Sequence, residues 1–403
     1  MSGRRPARDP VLIGFAESLA AIECAWILLD AGYDIVAFTR RGRRPPLARS
    51  RRVDVREVTS PQLDAAAAVA DIGVLAGSVG ASVVMPLDDD AVWLCDQTAA
   101  SQPGSDVQVA GPIGPHATLA LDKRLQLDVA ASAGLRVPPT VVIEPGGRAR
   151  VPDTPAPWIV KPALAAVAQD GRLRRGKANT AHCESDVAAL IADAAEPLLV
   201  QPRLIGTGEG VFGLAASGGV VGWSAHRRIR MMNPAGSGSS ACLSIDVDPR
   251  LRDGSQLFVE LADWRTLFML EFLRTVDGIP WFMELNGRPW GSMVLARHRG
   301  LPYPAWAVQV ALDPQLRPNE PQPAAHVTAR HLGRELLHVA FVARSGSTLP
   351  DSQRPGLLRT VRSVAAWHRG ERWYNVRRGE FRVFMADTWQ AISRVARARR
   401  NDR

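Results

Sequence analysis

The stretch LFMLEFLRTVDGIPWFMELNGRPWGS, residues 267–292, contains two apolar runs separated by Asp277-Gly278. An Asp-Gly pair between two apolar runs is a strong signal for a β-hairpin. Counting outward from a two-residue turn places Glu271 directly opposite Glu284. Like charges that face each other across two strands repel, so the hairpin predicts a pair of carboxylates that needs a compensating positive charge.

The alternation of side chains along a strand predicts which residues accompany the two glutamates. The same register pairs Phe272 with Met283. Along the second strand, alternation puts Phe282, Glu284 and Asn286 on one face. Two carboxylates and an amide that converge in this way form a cluster of hard oxygen ligands, which suits Mg²⁺ or Mn²⁺. The alternative is an exposed face on which both glutamates are solvated.

Three basic residues could accompany such a cation in binding phosphate. Arg288 continues the parity of Asn286 and could hold a phosphoryl group. Lys161 ends the short apolar strand WIVKP, where it could place a positive charge on a phosphate, or could simply be a solvated strand-end lysine. Lys123 lies on a predicted amphipathic helix and is less specific in isolation.

The bulk composition bounds the class of protein. A chain of 403 residues suggests two or three domains. Its four cysteines lie far apart and match no metal site or disulfide framework, so a reduced, cytoplasmic protein is expected. Charged residues interrupt the apolar run near the N-terminus, and no segment reaches the roughly 18 apolar residues of a transmembrane helix. We therefore expect no contact with the membrane interior.

The first hundred residues predict an α/β domain with a doubly wound sheet. A strand over Val11–Phe15, a helix over Ser18–Ala31 and a strand over Tyr33–Thr39 form a β-α-β unit. Gly14 stands alone, so the glycine fingerprint of a dinucleotide-binding domain is absent. The motif GPIGPH at residues 111–116 marks a boundary, and a proline-rich segment starts near Pro314.

Positive charge is concentrated in arginine clusters. The net charge is +9, and one cluster, RRGRRPPLARSRR, covers residues 40–52. Contact with nucleic acid or a membrane surface is one interpretation, and an ordinary solvated surface is the other. No aromatic residues are interleaved with these arginines, which argues against binding of single-stranded nucleic acid.

Several segments in order resemble the ATP-grasp superfamily, above all the branch related to the carbamoyl phosphate synthase large subunit and the carboxylate–amine ligases. The resemblance covers roughly residues 10–312, and its most specific element is the E-x-N-x-R motif of residues 284–288. The other matching segments are LDKRLQLDVAASAGLRVPPT, WIVKP, PLLVQPRLIGTGEGVFGL and WSAHRRIR.

This resemblance implies an α/β, ATP-grasp fold in three parts. A Rossmann-like pre-ATP-grasp domain would span residues 1–112. The ATP-grasp domain would span residues 113–313, with a lysine-bearing subdomain over 113–200 and a metal-site subdomain over 201–313. Residues 314–403 would form a linker and a mixed, mostly helical C-terminal extension.

The resemblance also implies roles for individual residues. Glu271, Glu284 and Asn286 match the metal ligands. Residues expected to bind ATP, through its phosphates, adenine or ribose, are Lys123, Lys161, Gln201, Arg203, Leu204 and Glu209. Residues expected at the reacting groups are Arg288, at phosphate, and His226, Arg228 and Arg230, near the acyl phosphate or the acceptor.

The implied activity is that of an ATP-dependent carboxylate–amine ligase, which forms an amide through an acyl phosphate on Mg-ATP. Its partners would be small carboxylate and amine substrates, and the arginines of residues 226–230 favour an anionic one. Nucleic acid is not expected as a partner, and a homodimer is compatible with the assignment. The alternatives are a kinase or carbamoyl-phosphate-type phosphoryl transfer enzyme on the same scaffold, and a non-catalytic nucleotide- or nucleic-acid-binding protein.

One segment departs from the family pattern. Relatives often carry a glycine-rich loop that covers the phosphates after the strand lysine, whereas residues 163–180 are poor in glycine and rich in arginine. Covering of the phosphates would then depend on side chains rather than on backbone N–H groups. The candidates are Arg172, Arg174, Arg175 and Lys177.

Overall fold

The computed structural model describes residues 10–233, 238–344 and 355–401. Within these ranges the strands form sheets of five, four, seven and two strands. The predicted α/β class is confirmed. None of the described helices is both long enough and apolar enough to cross a membrane.

The N-terminal part is a parallel, doubly wound sheet, as the β-α-β pattern predicted. The strand order is β3-β2-β1-β4-β5, which places β1 at the centre of the sheet. The strands are β1 (Val11–Gly14), β2 (Ile35–Arg40), β3 (Val53–Val58), β4 (Val83–Pro86) and β5 (Gln108–Val109). The helices are α1 (Ala21–Asp30), α2 (Ala65–Val79), α3 (Asp89–Ser101) and α4 (Pro115–Leu121), and a short 3-10 helix covers Pro46–Arg49.

The second part carries Lys161 on an antiparallel sheet with the strand order β10-β7-β11-β6. Its strands are β6 (Val141–Ile143), β7 (Trp158–Pro162), β10 (Asn179–Ala181) and β11 (Leu198–Pro202), with a separate hairpin of β8 (Val167–Gln169) and β9 (Arg172–Arg174). The helices are α5 (Lys123–Ser132) and α6 (Glu184–Ile191). An apolar core beneath this sheet includes Trp158, Val160 and Val200.

The third part is a seven-stranded sheet in the order β16-β15-β12-β13-β14-β17-β18. Its strands are β12 (Gly206–Ala216), β13 (Gly219–Met231), β14 (Ser239–Ile245), β15 (Leu267–Thr275), β16 (Pro280–Asn286), β17 (Thr328–Arg330) and β18 (Glu371–Trp373). The accompanying helices are α7 (Pro249–Leu261), α8 (Met293–Arg299), α9 (Tyr303–Leu312), α10 (Leu332–Arg344), α11 (Leu357–Ala365) and α12 (Phe381–Asn401). The C-terminal extension is thus mostly helical but also adds β17 and β18 to this sheet. The exact domain boundaries stay a prediction.

The main core joins the first sheet to the third. Nine of the ten residues of α1 are buried, and residues of α1, α8 and α9 belong to one apolar cluster together with residues of β1 and β12. Because α1 is apolar on nearly all sides, it can pack against the first sheet and against α8 and α9 at once. This packing sets the position of the first sheet relative to the predicted metal site.

The hairpin of β15 and β16 has the predicted Glu271–Glu284 pair, but its turn and its register differ from the prediction. The innermost pair is Arg274 with Pro280, so five residues lie between the paired positions instead of two. A β-bulge then places Met283 as an extra residue in β16. The longer turn and the bulge each shift the register by one residue, in opposite directions, and Glu271 lies opposite Glu284.

The bulge also changes which residues share a face. Phe272 pairs with Phe282, so the predicted pairing of Phe272 with Met283 is wrong. Both phenylalanines are fully buried in one core with Leu270 and Leu285. The prediction that Phe282 shares the face of Glu284 is therefore also wrong, because the extra residue at the bulge reverses the alternation.

Deletion of Met283 should remove the β-bulge that offsets the longer turn. If Glu284 stays opposite Glu271, Phe282 moves from the core to the opposite face, and we expect a loss of about 3–5 kcal/mol in the free energy of unfolding, as for removal of a buried phenylalanine. Met283→Ala keeps the residue count and serves as the control, with a smaller loss. Urea unfolding of both variants measures the difference, and equal stabilities would contradict the assigned bulge.

Candidate active site

The centre of the candidate site is the carboxylate pair, Glu271 and Glu284, on neighbouring strands. Arg228 Nη2 lies 2.6 Å from Glu271 Oε1, and Asn286 Nδ2 lies 3.3 Å from Glu284 Oε1. Burial raises the pKa of Glu271, the Arg228 charge lowers it, and repulsion from Glu284 raises it. The structure thus brings together the three predicted metal ligands, with Arg228 beside them.

Two glycines of β12 make room for the basic side chains on this face. Gly210 pairs with Glu271 on one side and with His226 on the other. A β-carbon at Gly208 would lie 2.6 Å from Arg228 Cδ, and one at Gly210 would lie 3.2 Å from His226 Nε2. Larger residues at these positions would therefore displace the groups that surround the carboxylate pair.

His226 is held as a neutral side chain. It is 3% exposed, its Nδ1 lies 2.6 Å from Ser292 Oγ, and its ring packs edge-on against Phe212. Burial lowers the pKa of His226 to about 3, with a further contribution from the Arg228 charge. Within the described residues, Nε2 has no hydrogen-bond partner. His226 thus offers a free hydrogen-bonding atom but not the positive charge expected from sequence.

Two lysines approach the carboxylate pair, Lys161 from β7 of the four-stranded sheet and Lys123 from the start of α5. Burial lowers the pKa of Lys161 to about 8, the charge of Lys123 lowers it further, and the carboxylates of Glu284 and Glu271 oppose the shift. Lys123 begins α5, and its backbone N–H donates to Ala163 O over 2.9 Å. The two predicted phosphate-binding lysines therefore share one electrostatic environment with the predicted metal ligands.

Gln126 connects these two groups and was missed in the sequence analysis. Its Nε2 donates to Leu119 O and Ala120 O, at the end of α4, over 3.0 and 2.9 Å. Its Oε1 accepts the backbone N–H of Leu285, which lies between Glu284 and Asn286, over 2.9 Å. The buried amide thus ties the helix of Lys123 to the strand of the metal ligands. A polar residue on the inward face of α5 was the available signal.

The predicted adenine-binding residues lie where the four-stranded sheet connects to the seven-stranded sheet. Gln201 is buried on β11, and its Nε2 donates to Thr140 Oγ1 over 2.8 Å. Arg203 and Leu204 follow in the connection to β12, and the backbone N–H of Arg203 donates to Pro157 O over 3.0 Å. Their contact with adenine stays a prediction.

Glu209 is not placed beside the carboxylate pair. It pairs with Phe272 of the core, so its side chain lies on the opposite face of the sheet. Arg227 Nε lies 2.8 Å from one carboxylate oxygen, and Arg274 Nε lies 2.9 Å from the other. Binding of ribose by Glu209, which stays a prediction, would have to compete with both arginines.

Two further predicted arginines have partners in other parts of the chain. Arg288 Nε lies 2.6 Å from Asp89 Oδ1, at the start of α3. Arg230 Nε and Nη2 lie 3.0 and 2.6 Å from the two oxygens of the buried Glu335, on α10. Arg288 thus links the E-x-N-x-R motif to the first sheet, whereas Arg230 anchors the C-terminal extension and is not gathered at the site.

The segment expected to cover phosphates folds as the β8–β9 hairpin and docks on the N-terminal part. The backbone N–H of Leu173 donates to Pro61 O over 2.7 Å, and that of Ala65 donates to Gly171 O over 2.8 Å. Arg175 Nη2 lies 2.6 Å from Asp89 Oδ2. Of the four predicted covering residues, Arg175 is therefore engaged with the first domain.

The donor set fits a hard cation that is only partly coordinated by protein. No group of three or more His, Cys, Asp or Glu side chains suited to a metal occurs among the described residues. The site instead offers two carboxylates and the Asn286 amide, with the Glu271–Glu284 repulsion to be relieved. Mg²⁺ is commonly held by one or two carboxylates together with substrate phosphates and water, so these residues fit it.

No protein-family model and no curated protein matches the chain. Solved structures do match, at 13–15% identity. L-amino acid ligase from Bacillus licheniformis has a TM-score of 0.57, with 80% of each chain covered and 15% identity. The ADP complex of N5-carboxyaminoimidazole ribonucleotide synthetase has a TM-score of 0.60, with 90% of this chain and 98% of that chain covered and 13% identity.

A third similar structure is the biotin carboxylase domain dimer of 2-oxoglutarate carboxylase from Hydrogenobacter thermophilus, solved with MgADP, ADP and bicarbonate. Its TM-score is 0.56, with 15% identity and coverage of 80% of this chain and 74% of that chain. Identities this low establish the fold alone. The ATP-grasp fold predicted from the sequence is confirmed.

Replacement of Gln126 tests whether its buried amide stabilises the fold. Gln126→Leu leaves one buried N–H and two carbonyls unpaired, and we expect a loss of about 2–4 kcal/mol in the free energy of unfolding. Gln256→Leu, on α7, removes a glutamine with one side-chain bond to Glu260 and should cost under about 1 kcal/mol. Urea unfolding checks both, and equal losses would argue against the assigned role of Gln126.

Proposed function

We propose that the protein is an ATP-dependent carboxylate–amine ligase that forms an amide through an acyl phosphate. The observation that carries the proposal is the meeting of Lys161, at the end of β7, and Lys123, at the start of α5, with the Glu271–Glu284 pair of the seven-stranded sheet. Positive side chains suit the phosphates of a nucleotide, and paired carboxylates suit its accompanying cation. A nucleotide between the two sheets would satisfy both groups.

The proposed ligands of Mg²⁺ or Mn²⁺ are Glu271, Glu284 and Asn286. When bound, the cation would neutralise negative charge on the phosphates. Arg228, which bonds to one oxygen of Glu271, orients that carboxylate and keeps part of its charge balanced.

In the first proposed step, a carboxylate oxygen of the substrate attacks the γ-phosphorus of ATP. An O–P bond forms, the bond to the β–γ bridging oxygen breaks, and ADP leaves with the electron pair. In the second step, the nitrogen of a free amine attacks the acyl carbon, the C–O bond to phosphate breaks, and the nitrogen loses a proton. Phosphate is the leaving group that a carboxylate alone does not provide.

The basic residues supply charge and orientation in this scheme. Lys123, Lys161 and Arg288 would spread the negative charge that develops on the transferred phosphoryl group. His226, with a pKa near 3, is too weak a base to take the proton of the amine at neutral pH. Its unpartnered Nε2 would instead orient a substrate group by a hydrogen bond.

The proposed partners are a small carboxylate and a small amine. The neighbours named for amino acid ligation and for carboxylation support a carboxylate or related acid as one substrate. A homodimer, found in the biotin carboxylase domain structure, is the proposed assembly, and the cytoplasm is the proposed location.

Glu284→Gln tests the proposal because it keeps the side-chain shape but removes one charge of the carboxylate pair. We expect Mg²⁺-dependent ADP release to fall at least about 100-fold. Glu184→Gln, at an exposed carboxylate of α6, is the control and should be unchanged. Release is measured against a pool of amino acids and small carboxylates, with mass analysis of the product.

Two outcomes would count against parts of this assignment. Unchanged turnover in Glu284→Gln would remove the metal assignment. A phosphorylated product that forms without any amine would favour the kinase alternative over the ligase.

The pKa of Lys161 predicts a pH dependence. A lysine whose pKa is lowered to about 8 is charged below that pH and loses its charge as the pH rises through it. Above about pH 8, kcat/KM for Mg-ATP should therefore fall, approaching tenfold per pH unit. Lys161→Arg keeps the charge and should remain flat to pH 9 even if its maximum is lower. A parallel fall in both proteins would assign the titration to another group.

A further inference from the structure

An open cleft of about 1740 Å³ lies between the first sheet and α12. Its floor is formed by residues at the carboxyl ends of parallel strands, including Thr39 on β2 and Glu57 on β3. Ligands of doubly wound sheets bind in crevices at this edge. The volume exceeds the roughly 300–1,000 Å³ of most small-molecule sites, so the cleft has room for an extended molecule.

The arginine cluster of residues 40–52 supplies the charge of this cleft. Arg43, Arg44 and Arg49 line it and have no carboxylate partner among the described residues. By contrast, Arg40 lies 3.0 Å from Asp88 and 2.6 Å from Asp90.

Because most acids of the cleft are paired with arginines, its lining keeps a net positive charge. Asp90 is further bound by Arg175, at 2.8 Å, and Glu17 lies 3.8 Å from Arg40. Glu57 is the exposed acid of the lining that has no cationic partner within the described residues. Three unpaired arginines against one unpaired glutamate suit an anionic ligand.

The opposite wall is apolar and comes from the C-terminal extension. Trp389 and Met385, one helical turn apart on α12, line the cleft and are 72% and 48% exposed. The helix packs directly against the 3-10 helix of Arg49, and Gln390 Nε2 lies 3.4 Å from Arg44 O. A tryptophan exposed to this extent inside a concavity is suited to cover a planar or apolar group.

One end of the cleft reaches the candidate active site. Arg288, Pro289 and Gly291 line it, and Arg288 lies two residues beyond Asn286 of the predicted metal site. A molecule in the cleft could thus extend from the arginines of residues 43–49 to the phosphate-binding end of the E-x-N-x-R motif.

We propose that this cleft binds one of the two substrates, and that this substrate is a small organic anion with a planar or apolar body. Its phosphate or carboxylate group would bind Arg43, Arg44 and Arg49, and its body would pack on Trp389. Binding of the anion rests on the cleft alone, whereas its role as a substrate rests on the proposed ligase function. The site replaces Arg228 and Arg230 as the anion-recognition group, because Glu271 and Glu335 already pair with those two arginines.

Single-stranded nucleic acid is less well suited to the cleft. Glu57, the acid of the floor without a cationic partner among the described residues, would repel an extended phosphate backbone that crossed it. One exposed tryptophan also provides a stacking surface for one base rather than for a run of bases.

Isothermal titration with phenyl phosphate, at fixed ionic strength and with and without Mg-ADP, tests the site. We expect the dissociation constant to rise at least about tenfold in Arg44→Gln/Arg49→Gln, with no change in Arg359→Gln, an exposed arginine on α11. Trp389→Ala should weaken phenyl phosphate about threefold to tenfold but leave inorganic phosphate unchanged, and Trp389→Phe should restore binding. Mg-ADP affinity should be the same in all variants, and thermal unfolding confirms that each is folded.

Several results would overturn the proposal. They are phenyl phosphate binding that the double variant retains, binding that Mg-ADP abolishes, no binding to the wild type, and tighter, arginine-dependent binding of a ten-residue oligothymidylate. Failure of the ligase function would appear separately, as an absence of Mg²⁺-dependent ADP release in the wild type, and would leave the titration result intact.

Discussion

The repulsion between Glu271 and Glu284 is the constraint on which the site depends. At a separation of about 5 Å and an effective dielectric constant near 20, two unit charges repel by roughly 3 kcal/mol. This repulsion is relieved by Arg228, which bonds to one oxygen of Glu271, and by Lys161 on β7 and Lys123 on α5. These cations need space and support, which glycines of β12 and the buried amide of Gln126 provide. The repulsion within this half-buried carboxylate pair is thus relieved by cations from several elements that meet at this point.

Local patterns predicted the elements and the order of the segments well. The β-α-β opening and the strand of Lys161 depend on signals of a few residues, which short-range geometry determines. The pairing of Glu271 with Glu284 was predicted as well, but it forms because the longer turn and the bulge offset each other. The bulge at Met283 could not be predicted in this way. It depends on the burial of Phe272 and Phe282 in a core built from several distant segments, and tertiary packing overrides the simple count from the turn.

The partners of charged residues could be predicted from sequence even less well. Sequence identified Arg230 and Glu209 as candidates because they stand in family positions, but partner choice is a property of the folded chain. Arg230 binds a carboxylate of the extension, and Glu209 binds two arginines on the far face of its sheet. Conversely, the sequence showed the arginine cluster of residues 40–52 only as a concentration of positive charge, and the fold shows that Arg43, Arg44 and Arg49 line a cleft with α12.

Helix α1 near the N-terminus forms hydrogen bonds with residues near the C-terminus, and these contacts affect folding during synthesis. Glu23, 1% exposed within α1, binds Arg297 and accepts the backbone N–H of Asn375, and Arg377 donates to Trp26 O. N-terminal segments usually fold first as a chain leaves the ribosome. Here the buried Glu23 has partners that lie more than 270 residues downstream and are synthesised much later. The first sheet therefore reaches its final stability only near the end of translation, and a fragment that stops after β5 would expose the apolar surface of α1.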